Sequence, residues 1–425
     1  MNRLQAPAIK DATEFNLTLK PYQKFILDNG VEIIYVEAGA QDVLMVEWVF
    51  DAGNWYDEQK QIASTTNFLL KNGTSRKTAF ELNEEVEYYG SFLNRNCYNE
   101  TATITLHAPT KQLKHLLPVV REMITDAVFP EEELAIYVTN TKQKLQVNLK
   151  KCEYVAGQLI DAYVYGEKHP YGVYSKPEDF DSLQREQLVR FYEQYYQKGH
   201  CIIFAAGKLP PDFTSTMNSL FGDLQIKPRV PVTKTHLRQP AAEKKYRIIN
   251  DPEGVQGAIR LARPFPDRKN PDFQKFLVLN TLFGGFFGSR LMSNIREDKG
   301  YTYGIYSYLQ NHLQEAAWVI STEAGRTVCE DAIKEIYHEM QVLKEEKVDD
   351  EELQLVKNYM IGSTLGDLDG PFHIIARWKN IILNGFDEGY FYRGINTIKT
   401  ITPDELMQLA NKYFVEEDMY ELVVI

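Results

Sequence analysis

Gly284-Gly285-Phe286-Phe287-Gly288-Ser289-Arg290-Leu291, carried on by Asn294-Ile295-Arg296-Glu297-Asp298-Lys299-Gly300-Tyr301-Thr302-Tyr303, is the stretch on which the reading of this chain turns. The paired glycines break whatever helix precedes them. Ser289 stands where its side chain can cap a short helix. Leu291 and Ile295 share one face at i,i+4. Gly300 takes the left-handed position that ends such a helix, with Lys299 beside the negative end of the dipole. From Tyr301 to Tyr306 the pattern changes to period two, which predicts a strand. Arg296 therefore falls in the last turn of the helix and Tyr303 three residues into the strand. Both are long side chains with polar tips that can reach one point beside the turn. By residue type alone they read as a helix-terminal cation and a sheet tyrosine.

With 425 residues, two domains of about 200 are the natural division. The chain is 44% hydrophobic and 25% charged, which places it among ordinary globular proteins. A net charge of −12 argues against a nucleic-acid binder, which would present a basic face. Residues 1–17 hold no apolar core for a signal peptide, and no run approaches a membrane span. Cys97, Cys152, Cys201 and Cys329 are too scattered for a disulfide framework or a zinc knuckle. A reducing, cytoplasmic setting is expected, provided that Met1 is the natural start.

Residues 1–20 read as a polar arm. A hairpin with an Asn29-Gly30 turn at positive φ is predicted between 25–27 and 31–36. A strand at 43–52, helices at 61–70 and 83–89, and strands at 91–98 and 101–107 come next. Then there are a helix at 113–128, one long helix from 131 to about 165, a helix at 183–196 and an apolar strand at 201–206. The order recurs. Phe129-Pro130-Glu131-Glu132-Glu133-Leu134 resembles Val348-Asp349-Asp350-Glu351-Glu352-Leu353 at an offset of 219, and 188–196 matches 406–414 at 218. Two matches at nearly one offset indicate an internal duplication. The joint lies in a stretch rich in proline and charge. Four segments result: an arm at 1–20, a first unit at 21–226, a linker at 227–245 and a second unit at 246–425. Strands and helices mix without strict β-α-β alternation. The expected class is thus α+β: two tandem homologous domains, each a mostly antiparallel sheet with helices packed on one side.

The opening stretch resembles the GG-x-x-x-SRL…R-E-x-x-G-x-x-Y signature of the second half of insulinase/pitrilysin-family metallopeptidases, the group that includes mitochondrial processing peptidase. The resemblance covers nearly all of the chain after about residue 24. It implies that Arg296 and Tyr303, seven residues apart, reach across to a peptide held at a zinc site. Active members carry H-x-x-E-H on a first-half helix, two histidines holding zinc and a glutamate acting as general base. Taking Gly73-Thr74 as the register, Ser64 and Phe68 occupy the histidine positions and Asn67 that of the glutamate. The window for the third ligand holds Lys142, Lys144, Gln146, Asn148, Lys150 and Lys151, with no acid between Ala135 and Cys152. Of the eight histidines no two fall three, four or five apart. No zinc is expected in this chain.

Three other features are shared with the family. His169-Pro170-Tyr171-Gly172 matches a common tetrapeptide and reads as a turn that packs its tyrosine. The strand holding Phe92, Asn94 and Asn96 corresponds to the edge strand on which family enzymes add substrate, though it also reads as an ordinary paired strand. Gly284 and Gly285 either let peptide approach the backbone or simply break a helix. The resemblance thus implies the non-zinc-binding subunit of a two-chain metalloendopeptidase, with zinc in a homologous partner and a peptide as substrate. The other reading is a catalytically inactive pseudo-peptidase acting as scaffold or peptide-binding protein. A homodimer, in place of the heterodimer, stays open.

Overall fold

The structure is a computed structural model that describes residues 11–232 and 234–425. The first ten residues of the expected arm lie outside the described residues, as does position 233 in the expected linker. The strands are β1 (Gln23–Ile26), β2 (Glu32–Glu37), β3 (Val43–Phe50), β4 (Phe92–Cys97), β5 (Ala102–Pro109), β6 (His200–Gly207), β7 (Lys227–Pro228), β8 (Lys245–Ile248), β9 (Gln256–Phe265), β10 (Thr302–Asn311), β11 (Ala316–Gly325) and β12 (Tyr420–Val424). They form two sheets. The first is seven-stranded, ordered β1-β2-β6-β3-β5-β4 with β7 beside β6, and the second is five-stranded, ordered β10-β11-β9-β12-β8.

The duplication is written into these orders. Strands β2-β6-β3-β5-β4 and β8-β12-β9-β11-β10 run through the same sequence of one parallel and three antiparallel pairings. In both sheets the last strand, β4 or β10, ends the order. The α+β architecture of two like units is therefore as the sequence indicates.

Each sheet carries helices of its own half on one face. The other face is not bare. Helix Cys152–Tyr165 of the first half lies on β9 and β12, with Ala156, Ile160 and Val164 against Ala258, Ala262, Leu422 and Val424. Reciprocally, helix Pro371–Leu383 of the second half sets Ile374, Ile375, Trp378 and Ile381 against Ile34, Val36, Ile202 and Phe204 of the first sheet. A large apolar side chain fully buried contributes roughly 1.5–3 kcal/mol. Four of them on one helix supply on the order of 8 kcal/mol, comparable with the net stability of a whole domain. Parting the halves would forfeit that packing twice.

Three local expectations change. The single helix from 131 to 165 is two, Glu131–Asn148 and Cys152–Tyr165, because Lys151 is extended (φ −92°, ψ 122°) and turns the second helix onto the other sheet. In the first hairpin only Gly30 has positive φ (+86°), and Gly30 N–H donates to Leu27 O at 2.8 Å. Asn29 is left free to bond to the Phe221 and Leu224 carbonyls (2.8 and 3.1 Å). Finally, residues 11–20 are not a loose polar segment. Leu17 and Leu19 are buried in the core of the second half, and Gln354 holds Asp11 at 2.9 Å.

Candidate functional site

Helix Phe273–Asn280 widens into a π turn over Thr281–Gly285, and Gly284 leaves helical geometry there. A Cβ on Gly284 would sit 2.7 Å from the Ser307 Cβ and 2.9 Å from Leu291, so this buried glycine is needed where the chain passes against β10. Its role is a helix break and close packing. Backbone exposed to a peptide is not what the structure shows there. Gly285 is half-buried against Asn280 and Thr281. Ser289 does not cap the next helix. Its hydroxyl is buried with no partner, while its backbone carbonyl accepts from Ser293 N–H at 3.0 Å.

That helix is wound wide, with π hydrogen bonding over Met292–Asp298, a form often met at functional sites. Leu291 and Ile295 are fully buried on one face. The opposite flank is tied down by polar bonds: Arg290 forks onto Glu352 at 2.9 and 2.8 Å, and Asn294 donates to Glu335 and Glu339 at 3.0 and 2.8 Å. Gly300 is left-handed (φ +66°), as its position predicts, and Tyr301 N–H closes the turn onto Ile295 O at 3.0 Å.

On this anchored frame Arg296 and Tyr303 are free. The Arg296 guanidinium lies 4.5 Å from the ring centre of Phe287 and forms no ion pair among the described residues. Phe287, 59% exposed, was not singled out by sequence reasoning, although it sits inside the glycine-rich signature. Tyr303 is 90% exposed. It owes that to a β-bulge: Thr302 faces Ala324 and Ile305 faces Thr322, leaving two residues opposite one. The bulge is stapled by the Thr302 hydroxyl, which donates to Glu323 O (2.6 Å) and accepts from Gly304 N–H (3.1 Å) and the Thr322 hydroxyl (2.9 Å). Tyr303 thus stands open beside the turn, and Arg296, half-buried, lies on Phe287 before it.

In the first half, β4 ends the sheet order, and Asn94 and Asn96 are exposed on it. Its alternate residues turn inward, and Arg95 reaches the helix that carries Ser64, Asn67 and Phe68. The guanidinium donates to Phe68 O and lies 5.2 Å from the Phe68 ring, which packs on Tyr137 with centres 4.7 Å apart. Burial pushes the Arg95 pKa down to about 10. Asn67, 2% exposed, donates to Thr103 O (3.3 Å) and the Tyr196 hydroxyl (3.1 Å). The Ser64 hydroxyl is spent on Gln61 at 3.1–3.2 Å. A hydroxyl, an amide and a phenyl ring beside a guanidinium do not fit a zinc ion. Among the described residues no group of three or more His, Cys, Asp or Glu is arranged to hold a metal.

The fold assembles what the sequence scatters. His169, His236 and His312 meet around Trp55 and Tyr171: Trp55 and His236 centres are 4.5 Å apart, His169 and His236 5.9 Å, and Tyr171 stacks on His312 at 3.9 Å. Tyr171, buried in its turn as expected, donates to Glu100, which also accepts from Leu313 N–H at 2.9 Å. Burial drives the pKa of both His169 and His312 down to about 4. Spacing along the chain could not have revealed this cluster, because its members come from a turn, the linker and the β10–β11 connection.

A family profile described as the peptidase M16 inactive domain matches residues 182–360, a span that contains Arg296 and Tyr303 but not Ser64, Asn67 or Phe68. The chain is 23% identical over 413 residues to the uncharacterized zinc protease YmxG of Bacillus subtilis, covering 95% of this chain and 98% of that protein. It is 21% identical over 302 residues to the beta subunit of the mitochondrial-processing peptidase of Bos taurus, covering 67% and 58%. Among solved structures, the peptidase M16 inactive domain from Pseudomonas fluorescens superposes with a TM-score of 0.84 at 21% identity, covering 95% and 98%. A protease from Helicobacter pylori gives 0.85 at 16% identity, covering 96% and 100%. No helix among the described residues is long and apolar enough to cross a membrane.

Proposed function

Starting from its kinship with the M16 peptidases, we propose that this chain is the non-zinc-binding subunit of a two-chain metalloendopeptidase. One observation supports this most. Tyr303 stands exposed, and half-buried Arg296 lies on Phe287 without an ion-pair partner, on a turn that its neighbours hold still, while Arg95 packs on Phe68 in the first half. A peptide lying at the zinc centre of a homologous partner receives both side chains. Tyr303 donates to the oxyanion that forms when water adds to the scissile carbonyl, and Arg296 holds a main-chain carbonyl beside it. Each donor aimed at developing charge is worth about 10²–10³ in rate. The exposed strand β4, with Asn94 and Asn96, offers an edge on which an extended peptide can add. All four cysteines are unpaired, which suits a cytoplasmic setting.

The test is reconstitution with a zinc-bearing homologue and a long peptide. Neither chain alone should cleave it, and the pair should. Arg296→Ala and Tyr303→Phe should each lower the joint rate by about two orders of magnitude. Full activity from both variants ends the proposal. It would leave the pseudo-peptidase scaffold, which the reciprocal helix exchange favours as a rigid assembly surface, or a homodimer of such chains.

A further inference from the structure

The second half holds an open-mouthed cavity of about 510 Å³ that the proposed peptide site does not use. It lies among helices Phe273–Asn280, Asp350–Gly366, Pro371–Leu383 and Glu388–Thr400. Tyr303 stands near the start of β10, and Asn311, which lines the cavity, ends it. At about 3.3 Å per residue the two are roughly 25 Å apart, so this is a separate place. Its size falls within the range of about 300–1,000 Å³ common to small-molecule sites.

One wall is apolar, built from Leu277, Met360, Phe391 and Ile395. The other end is cationic. Arg377 is paired with Asp367 at 2.6 Å. Arg268 has no carboxylate partner among the described residues: it donates to the neutral Asn380 Oδ1 at 2.6 Å, and its Nε is sealed from water without an acceptor. Burial, with Arg377 nearby, lowers the Arg268 pKa. Two guanidiniums and one carboxylate leave one positive charge in excess, in a chain whose net charge is −12. A half-buried cation with one N–H sealed and no carboxylate beside it gains from an anion placed next to it.

We propose that this cavity binds a small monoanionic amphiphile, a carboxylate held by Arg268 with an apolar body laid along Leu277 and Ile395. A single excess charge matches a monoanion, and the planar guanidinium suits a carboxylate in two-pronged contact. The same chemistry is carried by a free medium-chain fatty acid and by the C-terminus of a short apolar peptide.

Calorimetric titration of the full chain with decanoate tests the site, beside decanol (tail without charge) and acetate (charge without tail). Decanoate should bind at one site per chain, and the other two at least tenfold more weakly. Arg268→Gln should weaken decanoate at least tenfold with an unchanged circular dichroism spectrum. Ile395→Trp, which fills the cavity and keeps the arginine, should abolish binding. The proposal falls if decanoate does not saturate, if decanol binds as well, or if Arg268→Gln or Ile395→Trp leaves the affinity unaltered. Competition by acetyl-Leu-Leu identifies the source. Displacement by the free acid alone assigns a peptide terminus, no displacement assigns the alkyl acid, and equal displacement by the amide overturns the site.

Discussion

Lys379 and Glu47, 332 residues apart in the chain, form an ion pair across the two halves, with Lys379 Nζ 3.0 and 2.7 Å from the two carboxylate oxygens. Glu47 lies in the middle of β3 with 7% of its surface exposed, and the Thr105 hydroxyl adds a third bond at 3.2 Å. The pair sits on the face of the first sheet that helix Pro371–Leu383 covers, so it sets how that helix seats.

Removing one partner of such a pair strands the other. Lys379→Met should lower unfolding stability by about 3 kcal/mol, read as a shift in the urea midpoint. Replacing both, as Glu47→Leu with Lys379→Met, should recover most of the loss. If the double variant is no more stable than the single one, Glu47 is solvated and not dependent on Lys379.

Gly284 and Gly362 should respond in opposite ways to alanine. Gly284→Ala brings a methyl within 2.7 Å of Ser307 and should cost about 1–3 kcal/mol. At Gly362, inside helix Asp350–Gly366, a Cβ would meet nothing within 4 Å, and Gly362→Ala should stabilise by about 0.5–1 kcal/mol. Thermal melts of the two variants side by side decide it.

The Thr302 hydroxyl should matter to Tyr303 without touching substrate. Thr302→Val leaves Gly304 N–H unsatisfied and loosens the bulge, costing about 1–2 kcal/mol. In the reconstituted pair it should also cut turnover while Tyr303 is intact, whereas Thr302→Ser should restore it. Unchanged turnover in the valine variant would show that the bulge does not aim the phenol.

Acid should act through the buried histidines. His312 is held down to about 4, below its ordinary 6.5, by burial, with His169 adding to the shift. Between those values the unfolded chain holds the extra proton, so this group's contribution to stability is present above about pH 6.5 and lost as pH falls towards 4. Raised acids nearby act in the opposite sense: Asp161, pushed up to about 7 by burial, and Glu100 and Glu315, also raised by burial. Arg238, paired with Glu315 at 3.2 Å, and Arg229, which acts on Glu100, are fixed cations near the cluster. The histidine contribution is isolated by comparison with His312→Phe, which keeps the stack on Tyr171. From pH 6 to 4.5 the wild type should lose about 1 kcal/mol per pH unit more than the variant. Parallel pH profiles would mean that His312 titrates normally.

Grafting histidines at positions 64 and 68 and glutamate at 67 should not by itself restore metal binding. The Arg95 guanidinium, bonded to Phe68 O, would stay beside the ion and repel it. Zinc uptake measured by metal analysis should stay at background until Arg95 is also replaced. Stoichiometric zinc in the variant that keeps Arg95 would show that this side chain swings clear.

What the sequence alone determined is local chemistry and its repetition. Gly300 ends its helix because only glycine sits easily at φ +66°, and Leu291 and Ile295 share a face because helical period puts them there. The doubled order of elements was visible in two offsets, and so was the lack of fitting donors in Ser64, Asn67 and Phe68, at the positions that the resemblance assigns to a metal site. Tertiary structure decided what distance along the chain conceals. No turn signal in Leu149-Lys150-Lys151 announces that the next helix crosses to the other sheet, since the apolar face that receives it is built some hundred residues later. Ser289 looked like a cap but is buried without a partner, and Arg95, which drew no notice in the sequence, reaches in to bond Phe68 O. Three histidines with no spacing in common share one cluster for the same reason. Period and propensity act within a turn or two, whereas burial and charge pairing are set by whatever the folded chain brings alongside.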